Sequence, residues 1–215
     1  MIRCDIVITK DVIIGDAGVT TKFVAVPPPD IQYHLHNLLQ SQEGTDVTFQ
    51  VGGEMFAAHR CVLSARSDVF KAELFGPMKE GTKHSMVCIE DIEIKVFRLL
   101  LGFIYSDSVP EIEEEDEEFM WQHLLVAADK YDLMRLRLIC EQKLCKYITT
   151  STVAAILEFA EQNRCQGLKG ACLDFLTSPE NLKEVTAAGG LDHMISSCPC
   201  VLKEFIAKLV LLKDN

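Results

Sequence analysis

The chain has 215 residues, 48% hydrophobic and 25% charged, enough for one substantial core or two small ones and far from disordered or collagen-like composition. Its 32 acidic against 21 basic residues give a formal net charge of -11, which weighs against a partner recognised by its phosphate backbone. Nine scattered cysteines, an odd number, read as reduced thiols rather than a disulfide framework.

Residues 1–26 open with strand chemistry. Ile2, Cys4, Ile6 and Ile8 alternate with polar Arg3, Asp5 and Thr9, and Val12-Ile13-Ile14 and Phe23-Val-Ala-Val26 follow. Asp5 and Lys10 interrupt the apolar stretch and no small-residue cleavage site follows, so a signal peptide is not expected. Pro27-Pro-Pro-Asp30 marks a boundary and supplies a helix cap. From Ile31 the period becomes helical, with Ile31, Leu35, Leu38 and Leu39 on one stripe and Gln32, His36, Asn37 and Gln40 on the other.

Residues 45–51 and 54–58 flank Gly52-Gly53 and predict a β-hairpin. Residues 59–67 read as a short helix, and Asp68 as the cap of another that runs through Val69, Phe70, Leu74 and Phe75 to Gly76-Pro77. Residues 85–89 predict a third strand. Residues 96–105 predict a helix apolar nearly all round, which belongs in the middle of the fold. Seven of the eight residues 111–118 are acidic, so most of the net charge is local; they read as a solvated loop beside the positive N-terminal end of the next helix. That helix carries Trp121, Leu124, Leu125 and Ala128, and its successor Leu133, Leu136, Cys140, Leu144 and Tyr147. The rest is helical: Thr149 to Thr152 offer caps for a helix with Val153, Ile156, Leu157 and Ala160, a second carries Leu168, Cys172 and Leu176, a third starts at Ser178-Pro179, and residues 201–212 close the chain.

Residues 38–147 resemble a BTB/POZ domain. Thr45-Asp-Val-Thr-Phe49, Phe56-Ala-Ala-His-Arg-Cys-Val-Leu-Ser-Ala-Arg-Ser67, Val96-Phe-Arg-Leu-Leu-Leu-Gly-Phe-Ile-Tyr105 and Ala127-Ala-Asp-Lys-Tyr-Asp-Leu133 stand in that family's order and spacing. Within it the chain is most similar to the MATH-BTB adaptors, above all the plant set, because residues 23–30 resemble their inter-domain linker and residues 4–8 their last MATH strand. The resemblance implies an α/β fold, a short sheet flanked by helices, followed by an all-helical extension. The expected domains are a MATH remnant over 1–26, a proline linker over 27–30, BTB over 31–148 and a helical 3-box or BACK-like extension over 149–215. Most of the MATH sandwich that recruits substrate is missing from the sequence.

The function implied is that of a non-catalytic adaptor that dimerises and holds cullin-3 as the substrate-specific subunit of a ubiquitin ligase, in the nucleus or cytoplasm. Ile31, Leu35, Leu38 and Val62 match the positions through which such subunits pair, with themselves or with other BTB chains. Met78-Lys-Glu80 fits the family's cullin motif, in which Met78 gives an adaptable apolar contact and Glu80 an acceptor. Tyr131 either adds to that face or packs inside. A substrate protein binds only if a recruiting surface remains. The alternatives are a BTB scaffold in transcriptional repression, though no zinc finger or basic module accompanies it, and a dimerising competitor of full-length relatives.

No catalytic residue, metal or cofactor is expected. His34 and His36, and Cys198 and Cys200, lack companions at zinc-like spacing. Ser64 and Ser67 lack a nucleophile-elbow turn, Gly52-Gly53 lacks the rest of a phosphate loop, and His59 reads as a structural histidine. No run approaches the roughly 18 consecutive apolar residues of a membrane span, and no basic patch suits nucleic acid.

Overall fold

The structure is a computed structural model and describes residues 25–76, 85–110, 112, 117–197 and 199–213. Ile31–Asn215 make one compact unit and Met1–Asp30 another. Of the second only residues 25–30 are described, irregular and exposed; the other residues of the expected MATH remnant lie outside the described residues.

The larger unit starts with α1 (Ile31–Ser41), which ends where Gln42 takes a left-handed φ of 56°. The hairpin β1 (Val47–Val51) and β2 (Glu54–Ala58) forms as expected, with Val47 opposite Ala58 and Val51 opposite Glu54. Gly52 and Gly53 have φ of 54° and 92°, the two positive values of a type I′ turn. A Cβ at Gly52 would also meet Ile94 Cγ1 at 2.8 Å, so this corner lacks both the backbone freedom and the space for a side chain. The chain then crosses over through α2 (Arg60–Arg66) and α3 (Asp68–Phe75) and returns as β3 (Ser85–Ile89), parallel to β1, in the sheet order β2-β1-β3.

Val47, Phe49 and Val51 point from β1 to the buried side of the sheet. They meet α4 (Ile94–Ser106), whose Val96, Phe97, Leu100, Leu101, Phe103, Ile104 and Tyr105 are all buried. Phe97 packs on Phe49 at 5.4 Å and on Phe56 at 5.2 Å between centroids. The Tyr105 hydroxyl accepts the His59 backbone N–H at 2.8 Å and donates to His59 Nδ1 at 2.8 Å. His59 carries its proton on Nε2, which donates to the Glu43 carbonyl at 2.7 Å, an oxygen that can only accept. One buried histidine therefore ties the end of the α1–β1 connection to the central helix.

α5 (Glu117–Lys130) and α6 (Met134–Leu144) pack beside α4, and a 3-10 turn follows at Cys145–Tyr147. The acidic run reaches α5 through Glu117, whose carboxylate accepts from Trp121 Nε1 at 2.9 Å and from the Tyr147 hydroxyl. These bonds hold the Glu117 carboxyl below its usual range. Five further helices complete the chain: α7 (Val153–Gln162), α8 (Gln166–Leu176), α9 (Pro179–Ala187), α10 (Gly190–Ser197) and α11 (Pro199–Lys213). α11 docks on α7 and α8 by burying Val201 and Phe205, while Lys169 stands between Glu161 and Glu204 at 3.2 and 3.0 Å.

Three local expectations are corrected. The cap of α3 is Ser67, not Asp68, because the extended Ser67 backbone lets its hydroxyl accept from Phe70 N at 3.1 Å. Thr152 precedes α7 but makes no side-chain cap; its hydroxyl donates to the Tyr147 carbonyl at 2.5 Å and ties α7 to the preceding turn. Between the helix that starts at Ser178-Pro179 and the closing one lies a further helix, α10, separated from α9 by the left-handed Gly189 at φ 79°.

Burial holds the Cys140 and Cys172 thiols and the Tyr105 hydroxyl protonated, each pushed up to about 12. In the unfolded chain the two thiols ionise near 9.0 and the phenol near 10.0, so alkali favours unfolding. The stabilisation is present below these values and is lost as pH rises towards about 12. The thermal midpoint should accordingly fall as pH rises from about 9 towards 12; a flat midpoint across that window would contradict the burial of these groups.

Candidate functional site

Two faces leave apolar side chains in solvent. The first is α1, which carries no Asp, Glu, Lys or Arg, its ionisable side chains being His34, His36 and Tyr33. Ile31 is 62% exposed, Leu38 is half-buried, and Leu35 and Val62 are partly spent against the chain's own core. The four residues expected at a subunit interface thus differ: Ile31 and Leu38 have area to give, whereas Leu35 and Val62 also support the fold. On the other side of α1, Tyr33, His36 and Leu39 join Phe56, Arg98 and Gly102 to line a groove of about 770 Å³. Arg98 Nη2 donates to Glu54 at 2.7 Å and lies over Phe56, closing one end with charge.

The second face surrounds Tyr131. Met78 and Glu80 lie outside the described residues. Tyr131 is only 2% exposed, its ring stacked on Phe70 at 4.2 Å and 13°. Burial, followed by the nearby carboxylates of Glu73 and Asp91, raises its phenol above the ordinary range. Its backbone carbonyl accepts from Ser67 Oγ at 2.6 Å, so Ser67 both caps α3 and joins it to the α5–α6 turn. The helices that meet at this knot also expose large apolar side chains, Val69 and Phe75 on α3 and Met134 and Leu138 on α6, among charged neighbours such as Lys71 and Arg135. Phe75 is 56% exposed and stacks under the Arg60 guanidinium, which also donates to the Leu74 carbonyl.

The sequence reading overlooked these four. Val69 and Phe75 were in the expected α3, but only Phe70 and Leu74, four apart, face the core. Met134 and Leu138 are likewise four apart on α6, out of phase with the buried Leu136, Cys140 and Leu144. A second apolar stripe on a helix already supplied with a core stripe was the available signal.

A smaller cavity of about 270 Å³ lies between the β3–α4 loop, α5 and α7. Ile92, Val96, Ala127 and Phe159 line it, with Asp91, Lys130 and His123 also on its walls. Lys130 donates to both Asp91 oxygens at 2.7 Å, which holds the Asp91 carboxyl below its usual range. The remaining sequence candidates are dispersed: His34 and His36 sit exposed on α1, Ser64 donates to the Cys61 carbonyl at 3.2 Å, and the Cys200 thiol donates to Glu161 at 3.5 Å. No group of three or more potential metal ligands occurs among the described residues, and none of their helices is long and apolar enough to cross a membrane.

Comparison with known proteins covers most of these elements. The BTB/POZ domain family model matches residues 35–148, and the BPM/SPOP BACK domain model matches residues 152–206. BTB/POZ and MATH domain-containing protein 3 of Arabidopsis thaliana is 41% identical over 190 residues, covering 85% of this chain and 46% of that protein. BTB/POZ and MATH domain-containing protein 4 of the same plant is 39% identical over 194 residues, covering 85% of this chain and 41% of that protein. The chain thus spans about half the length of these relatives. Among solved structures, the BTB domain of zebrafish PATZ1 is 27% identical with a TM-score of 0.44, covering 59% of this chain and 99% of that one.

Because Ser67 holds two partners, Ser67→Ala should destabilise the protein by about 1–3 kcal/mol, measured by chemical denaturation. An unchanged denaturation midpoint would remove Ser67 as the link between α3 and the α5–α6 turn.

Proposed function

Since the chain belongs to the BTB/POZ family and carries a BPM/SPOP-type BACK domain behind it, we propose that it is a non-catalytic adaptor that dimerises and presents cullin-3 with a combined BTB and BACK surface, as the substrate-specific subunit of a ubiquitin ligase. The observation that carries this reading is the continuous match to both domains. Support comes from the second face. Four exposed apolar side chains stand on α3 and α6, the helices flanking a buried, doubly anchored tyrosine, which suits a rigid protein-binding patch better than a small-molecule pocket. Residues 77–84, with Met78 and Glu80, connect α3 of that face to β3.

In this reading Met78 and Glu80 supply the cullin contact, Phe75, Met134 and Leu138 widen it, and Tyr131 acts from below by fixing α3 against α5. Dimerisation falls to α1, where Ile31 and Leu38 meet a second BTB chain and Leu35 and Val62 back them from inside. The domain limits proposed are 31–148 for BTB and 149–215 for the extension.

Two measurements test these faces separately. Met78→Ala combined with Glu80→Lys should abolish capture of purified cullin-3 with dimerisation intact, and Leu138→Asp should weaken capture by about tenfold or more; unchanged capture in both would end the adaptor assignment. Ile31→Asp with Leu38→Asp should convert the dimer to a monomer in light scattering while leaving the helical signal in place, since neither residue belongs to the buried core. A persistent dimer would move the interface off α1.

A further inference from the structure

The join between the BTB and BACK matches is made by opposite charges on one helix. Arg137 and Glu141 are four residues apart on α6, so they share a face. Arg137 Nη2 donates to the carbonyls of Asn163 at 2.8 Å and Arg164 at 3.1 Å, just past the C-terminal end of α7. Its Nε lies 3.3 Å from Asp129 Oδ1 on α5, an ion pair without hydrogen-bond geometry. Glu141, 6% exposed, accepts the Leu168 backbone N–H at 3.2 Å, in the first turn of α8. Each charge therefore meets the helix end that its sign suits: the cation the carbonyl end of α7, the anion the amide end of α8. The chain is shaped for the contact. Arg164 takes a left-handed φ of 56° to present its carbonyl, and Gly167 leaves room at the contact, because a Cβ there would stand 3.1 Å from Glu141 Oε2 and make the carboxylate give by a few tenths of an ångström.

We propose that Arg137, Glu141 and Gly167 are positioning residues: they set the angle of the α7–α8 hairpin against the BTB unit, so that a partner spanning both meets one preorganised surface. The proposal rests on the adaptor reading for the identity of that partner, cullin-3. None of the three needs to touch it. A buried hydrogen bond that reads a helix end across a domain join is directional, whereas the apolar contacts around it tolerate a change of tilt; loss of the bond frees the hairpin without unfolding the BTB core.

The test compares Glu141→Ala, Glu141→Gln and Gly167→Ala with the unmodified chain, by hydrogen exchange and by affinity for purified cullin-3. Glu141→Ala should speed exchange in residues 153–176 with the amides of α4 and α5 still protected, and should weaken cullin-3 binding about tenfold, the equivalent of one buried hydrogen bond; Gly167→Ala, which only nudges the carboxylate, should speed the same exchange to a smaller degree. Glu141→Gln keeps an acceptor oxygen and should restore affinity to within about threefold of the unmodified chain, which distinguishes loss of the bond from loss of shape. The proposal is overturned by unchanged exchange in residues 153–176, by exchange that rises equally in α4 and α5, or by faster hairpin exchange with unchanged affinity. In the last case the adaptor reading stands; if the unmodified chain does not bind cullin-3, both fall together.

Discussion

The BTB part of the larger unit is arranged around a helix buried over most of its circumference, with Lys95 and Arg98 as its exposed charged positions. Seven of the thirteen residues of α4 are buried, on more than one face, so the sheet, α1, α2 and α5 must each bring an apolar surface to it. This requirement explains the wide separation in sequence of its neighbours: Phe49 and Phe56 from the hairpin, Leu63 from α2 and Leu124 from α5 all end in the same core. The only polar group that α4 takes inside is the Tyr105 hydroxyl, and His59 satisfies it fully as both donor and acceptor.

With most of α4 enclosed, the exposed apolar side chains lie largely on the outer helices. α3 and α6 each bury one stripe and leave a second, and α1 is held by Leu35 and Leu39 with Ile31 outside. Tyr131 shows how the division works. Its ring is spent on Phe70 and its carbonyl on Ser67, so its contribution to the surface is the fixed placement of what surrounds it.

Much of this was legible in the residues. The apolar run of α4 announces its own burial, Gly52-Gly53 announces the hairpin, and the family motifs around His59, Tyr105 and Tyr131 mark positions that turn out to hold the buried network and the tyrosine stack. What could not be read depended on the third dimension. Ser67 and Asp68 are both good caps by composition, and only the extended backbone at Ser67 chooses between them. Val69 and Phe75 differ from Phe70 and Leu74 by a rotation about the helix axis, invisible in a helix of two turns. Arg137 and Glu141 look like ordinary surface charges of α6, because their partners lie some 26 or 27 residues away and are backbone atoms, which carry no residue signature.

The absence of Asp, Glu, Lys and Arg from α1 has a consequence of its own. Apart from His34 and His36, association along this helix would have no charge to read: neither attraction to steer an approach nor repulsion to refuse a near relative. Added salt would do little to loosen it, since screening acts on charges and not on apolar area. Discrimination between self and kin is then left to the fit of Ile31 and Leu38 against whatever helix faces them, a lock whose pins differ only in shape.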